Sequence, residues 1–189
     1  MRGIDRALIT MVERTAFEVI RELEQHFHQA SKSLPAQVDY KPRTVVLCFR
    51  VAGVDLAIPL DQVAEVQEVP EYTHLPRVKA WMLGVAAIRG KLVPIIDFAA
   101  FFGEQRKPVV RNQRIVVVVV QTSYLGLLVD DVIGVRHFES DQYSLVGKQA
   151  PSFIESYVNG CYTDESGQPK FMFRPFKLVE DERFCNVAM

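Results

Sequence analysis

Residues 45–66, VVLCFRVAGVDLAIPLDQVAEV, and residues 114–135, RIVVVVVQTSYLGLLVDDVIGV, align without a gap at a constant offset. Leu56 falls on Leu125, Asp61 on Asp130, Val63 on Val132 and Val66 on Val135. Each copy reads as a β-branched strand, a polar turn, a second apolar strand, an Asp and a short amphipathic stretch. The chain therefore carries one β unit twice. A duplicated β-barrel without a reactive centre is usually a device for holding partners, not for chemistry.

Outward from the repeat, the pattern stays rich in strands. The pentavaline at 116–120 is far shorter than the roughly 20 residues that span a bilayer, and suits a strand buried on both faces. Residues 83–88 and 91–96 flank Arg89-Gly90 as two strands flank a tight hairpin turn, with Gly supplying positive φ. Asp97 is placed to cap a short helix over 98–102 that Gly103 ends. Asp130, like Asp61, reads as a cap. Residues 104–114 carry Arg106, Lys107, Arg111 and Arg114 against one acid, and Pro108 breaks regular structure, so an exposed basic connector is expected between the copies.

Ahead of the first copy the period changes. Leu8, Val12, Ala16, Val19, Ile20, Leu23 and Phe27 recur every three or four residues, which predicts an amphipathic helix within 1–34. Its stripe either packs on the barrels, the plainer reading, or docks a partner. Asp5, Arg6, Glu13 and Arg14 interrupt it too often for a signal peptide or a spanning helix. Pro35 and Pro42 bracket a linker over 35–43, the duplicated domain covers 44–180, and 181–189 form a C-terminal tail.

Composition narrows the function classes. At 189 residues and 49% hydrophobic, the chain buries a substantial core without extra stabilisers. Cys48, Cys161 and Cys185 are odd in number and lack metal or redox spacing, which favours free thiols in the cytosol. Lys plus Arg total 22 against 23 for Asp plus Glu, so no global field attracts nucleic acid or an anionic membrane.

Little chemistry is visible. His26 and His28 face different sides of a helix, and His74 and His137 stand alone beside apolar residues, so each reads as structural or solvated. Asp130 and Asp131 point to opposite sides of a strand and make a poor acid/base pair. There is no phosphate-cradling glycine loop, nucleophile elbow or paired-cysteine zinc motif. The expectation is a protein that is not an enzyme and needs no metal or cofactor.

The run LPRVKAWMLGVAAIRGKLVPIIDFAAFFG, residues 75–103, resembles the signature of the CheW-like adaptor family, in which a Gly-containing strand turns at Arg-Gly and leads to Asp and a short helix. The valine-rich strand followed by Gly126-Leu127-Leu128-Val129-Asp130 looks like the family's second signature. The resemblance implies a mainly β fold of two interlocked SH3-like five-stranded barrels. It also implies a non-catalytic adaptor that couples the cytoplasmic tip of a methyl-accepting chemoreceptor to the regulatory domain of a CheA-type histidine kinase. Such a protein works in the cytoplasm, recruited to the inner face of the membrane through receptor arrays and not inserted in it.

The phrases around Tyr72-Thr73-His74-Leu75-Pro76, Arg136-His137-Phe138 and Glu182-Arg183-Phe184-Cys185 are similar to the branch of that family serving type IV pilus (twitching) systems. Where flagellar members continue into a long C-terminal helix, Pro175 here restricts one. Position by position, the resemblance places receptor or kinase coupling at Val63, Glu65, Gly84 and Arg89. Plainer roles stand beside these: Val63 as core, Gly84 as a point of close backbone approach, and Arg89 paired with Glu65 across the barrel. Phe98, Phe101 and Phe102 read as core. The alternative function is a small β-barrel that binds nucleic acid or a small ligand, which needs a basic face with interleaved aromatics. Only 106–114 approach this, and they contain no aromatic.

Overall fold

The computed structural model describes residues 16–30, 42–104, 112–145 and 150–188. Two units are distinguished, Met1–Tyr40 and Lys41–Met189. The described part of the first is helix α1, Ala16–Ala30. Val19, Ile20 and Leu23 share one side of it, and Glu18, Arg21 and Glu22 take the other. Residues 1–15, 31–41 and 105–111, which hold parts of the expected helix, linker and basic connector, lie outside the described residues, while Arg43 and Arg114, expected in the linker and the connector, begin strands. Among the described residues no helix is long and apolar enough to cross a membrane.

The second unit begins with β1 (Arg43–Val51), β2 (Val54–Pro59), β3 (Val63–Gln67), β4 (Met82–Ile88) and β5 (Lys91–Asp97), followed by α2 (Phe98–Phe101). It continues with β6 (Arg114–Val120), β7 (Ser123–Val129), β8 (Asp131–Glu139), β9 (Tyr143–Ser144), β10 (Val158–Thr163) and β11 (Pro169–Phe173), then α3 (Pro175–Val179) and α4 (Glu182–Cys185). The duplication is confirmed strand by strand, since β1, β2 and β3 match β6, β7 and β8. The copies exchange strands. One sheet has the order β8-β1-β2-β11-β10-β9 and the other β3-β6-β7-β5-β4. Thus β3 of the first copy pairs with β6 of the second, and β8 of the second with β1 of the first.

The fold is mainly β and interlocked as expected, but its two sheets of six and five strands are not closed into barrels by hydrogen bonds. After each outer strand the chain turns back to the far edge for only one or two residues. Thr73 bridges Val85 of β4 in one sheet, and β9 pairs with β10 in the other. Each seam is closed by a short return of chain and by side chains.

The exchange accounts for the continuous apolar strands. Leu47 and Phe49 of β1, and Val116 and Val118 of β6, face a shared core between the sheets. The alternate residues Val46 and Cys48 face one sheet's own interior, and Ile115 and Val117 face the other's. A strand with a core on each side tolerates no polar position, so the pentavaline is buried on both faces. Phe98 and Phe101 are buried in the shared core and Phe102 packs against it, as expected.

Two local expectations change. Asp97 caps α2, its Oδ1 accepting from the Ala100 amide at 3.0 Å, but Asp61 and Asp130 cap nothing. Asp61 sits within the 3-10 turn Leu60–Gln62, which has no side-chain cap. Asp130 Oδ2 instead accepts from the Ala52 amide at 2.7 Å, holding the β1–β2 turn of the other copy. Pro175, expected to restrict a helix, opens α3 at its first turn, where a missing N–H costs nothing.

Candidate functional site

The sheet β3-β6-β7-β5-β4 leaves β3 and β4 as its two edges, and two of the expected site residues meet across them. A register shift between Val63 and Glu65 kinks β3. Opposite, Arg89 and Gly90 join β4 to β5 with φ of 48° and 74°, the paired positive values of a tight hairpin turn. Arg89 Nε then lies 2.7 Å from Glu65 Oε2. The Glu65 side chain is 19% exposed and that of Arg89 75%, so the guanidinium straps the seam while facing solvent.

Beside the strap is a cavity of about 220 Å³. The buried side chains of Ile88, Val93 and Val117 line it, together with Glu65, Arg89 and Lys91. Lys91 Nζ lies 3.7 Å from the centre of the Tyr124 ring and donates to its hydroxyl. Lys91 and Tyr124 were not singled out from the sequence. The repeat held one signal, because Tyr124 stands where Asp55 stands in the first copy.

The other two expected residues lie apart from the strap. Val63 is half-buried against the shared core and pairs with Val118. Gly84 is buried with φ of 151° at a bulge in β4, and a Cβ there would lie 2.1 Å from the Thr73 carbonyl oxygen. Its lack of a side chain admits the returning chain at Thr73. Two residues that sequence reading passed over are the repeat mates Val66 and Val135. They pair with Val116 and Leu47, whose side chains face the shared core, yet they are 38% and 43% exposed. They mark apolar margins where that core reaches the surface.

The matching place in the other sheet holds ions. Lys170, whose side chain is 7% exposed, lies 2.7 Å from Asp55 and 3.1 Å from Asp164. Arg50 also grips Asp55, at 2.6 Å. Burial opposes ionisation of Asp55, but the bonds from Arg50 and Lys170 outweigh it and hold the carboxyl below its usual range. Asp164 is held at about 2, first by the Ser166 hydroxyl and also by Lys170. The network is structural, with every charge matched.

Nothing in these positions assembles a catalytic or metal-binding group. His74 Nδ1 sits 2.9 Å from the Leu83 carbonyl, His137 lies exposed on β8, and no cluster of three metal-ligating side chains occurs among the described residues. Cys48, Cys161 and Cys185 are free. Burial pushes the Cys48 thiol up to about 11, which leaves it unreactive.

The chain is 32% identical over 176 residues to Protein PilI of Pseudomonas aeruginosa, covering 93% of this chain and 98% of that one. It is 30% identical over 105 residues to Protein FrzA of Myxococcus xanthus, covering 56% of this chain and 64% of that protein. The crystal structure of the scaffolding protein TtCheW from Thermoanaerobacter tengcongensis shares the fold, with a TM-score of 0.63 at 20% identity, over 70% of this chain and 90% of that one. Residues 45–183 match the model of the CheW-like domain, so this chain, with its strand-exchanged sheets and bridged seam, belongs to the CheW-like family.

Proposed function

We propose that the protein is a non-catalytic adaptor that couples a methyl-accepting chemoreceptor to a CheA-type histidine kinase in a system controlling type IV pilus-driven twitching. It works on the cytoplasmic side of the membrane, held there by the receptors. The observation that carries the reading is the seam: a guanidinium that stays exposed while paired, beside a small apolar cavity, as a docking point needs. The likeness to PilI along nearly the whole chain supports the pilus system.

In this reading the two surfaces serve two partners. The seam at Glu65 and Arg89 takes the kinase regulatory domain, and the apolar margins at Val66 and Val135 take the helical receptor tip, whose apolar stripe they complement. Reconstitution with purified receptor tip and kinase regulatory domain tests this. Arg89→Ala is expected to weaken kinase capture and spare receptor capture, and Val66→Glu to do the reverse. In cells, deletion of the protein should abolish twitching. Wild-type protein that captures neither partner, or turns over ATP, would overturn the reading.

A further inference from the structure

The hairpins β4–β5 and β10–β11 are each preceded by an aromatic residue, Trp81 and Tyr157. The Asp97 amide donates to the Trp81 carbonyl at 2.8 Å, and the Arg174 amide to the Tyr157 carbonyl at 2.9 Å. Trp81 and Tyr157 are therefore equivalent points of the two copies. The C-terminal residues touch both. Phe184 stacks on Trp81 with ring centres 5.6 Å apart and meets Phe101 edge-on at 5.7 Å. Asp181 accepts from the Tyr157 hydroxyl and from Arg183, whose Nη2 donates to that hydroxyl at 2.5 Å. Farther on, the Lys79 amide donates to the Val187 carbonyl at 3.0 Å and Ala188 bridges Val78.

The exchanged strands β3 and β8 hydrogen-bond the sheets together at one edge, and the shared core packs between them, with Phe98 against Phe173 and Phe101 and Phe102 against Tyr157. The two hairpins sit toward the opposite edges, attached to the exchanged strands through the ladders. The segment 181–188 spans them there, and Arg89 rides on the tip of one hairpin. Its grip is narrow: Glu182, Arg183, Cys185 and Asn186 are exposed, so it can loosen without global unfolding.

We propose that residues 181–188 are a strap that fixes one copy's hairpin against the other's, and that Phe184, acting through Trp81, is a positioning residue for coupling between the two partner surfaces. The coupling rests on the adaptor reading above; the geometry does not. Coupling between sites is carried by packed side chains and hydrogen-bonded elements of the kind that join 181–188 to the two hairpins.

Trp81 is the single tryptophan of the chain, so its emission reads the strap directly. In Phe184→Ala we expect a red-shifted emission at a temperature where the protein is folded. Receptor-dependent kinase activation should fall by about tenfold while each binary affinity stays within about twofold, a loss of coupling rather than of binding. Phe184→Tyr should restore both readouts. Spin labels at Ala87→Cys and Glu165→Cys, in a Cys185→Ser background, report the distance between hairpins without any partner, and their distribution should broaden in Phe184→Ala. If that variant does not fold, Asp181→Asn loosens the other anchor and takes its place. An unchanged distribution overturns the strap. A broadened one with unchanged activation, or with both binary affinities lost in step, overturns its role in coupling. Wild-type protein that binds neither partner refutes the adaptor reading instead, and the label distances still decide the strap.

Discussion

Arg89 and Glu65 form an ion pair that is short yet half in water, and exposed pairs contribute no more than about 1 kcal/mol. Arg89→Ala should therefore leave the urea midpoint nearly unchanged, which separates the docking role proposed for it from a structural one. Gly84 behaves oppositely. Alanine there drives a Cβ into the Thr73 carbonyl and should cost about 2 kcal/mol or more, whereas Gly90→Ala, with φ of 74° and open space around it, should cost about 1. Lys170→Met removes the buried cation between Asp55 and Asp164, leaving Asp55 to Arg50 alone and Asp164 to Ser166 and the Gln168 amide, and is expected to lose about 3 kcal/mol. The acid side has a defined sign. Asp164 and Asp181 are held at about 2, below the ordinary 3.8, so their stabilisation is complete above that ordinary value and drains away as pH falls towards 2. Asp164→Asn should flatten that part of an acid-unfolding curve followed by circular dichroism. The Glu65–Arg89 contact was available from sequence as one of two readings of Arg89. The Lys91–Tyr124 contact was not, because it depends on which strands become neighbours.

At the scale of elements, turn chemistry and period were legible: the Arg89-Gly90 hairpin, the doubly buried pentavaline and the Asp97 cap all stand where the residues put them. Removing the cap with Asp97→Ala should cost about 1 kcal/mol by thermal melting. Asp61 and Asp130 show why identical spacing does not ensure identical use. The first stays at an exposed turn, while the second meets a backbone amide that only the fold brings near. Pro175 was legible as a boundary, but a proline that forbids continuation from one side permits initiation from the other, and the strand before it decides which. Because the duplicated unit has its own cores, a chain starting at Lys41 is expected to melt cooperatively with native strand content.

For the whole molecule, the repeat announced two copies, but alternation cannot say to which sheet a strand belongs. Burial on both faces of β1 and β6 follows equally from two stacked self-contained barrels and from exchanged ones. The exchange is settled by β3 and β8, whose sequences are the least apolar of the repeat and so the least informative. It carries a consequence for how the polypeptide can be divided. A cut between residues 104 and 112 leaves one fragment with β1–β5 and the other with β6–β11, and each sheet needs strands from both. Neither fragment alone should hold native structure, while the mixed pair should reassemble with second-order kinetics and recover the melting transition of the uncut chain. Topologically the molecule is a swapped dimer of half-proteins that happens to share one peptide thread. Its dissociation constant, which no monomer ordinarily possesses, becomes measurable once that thread is cut.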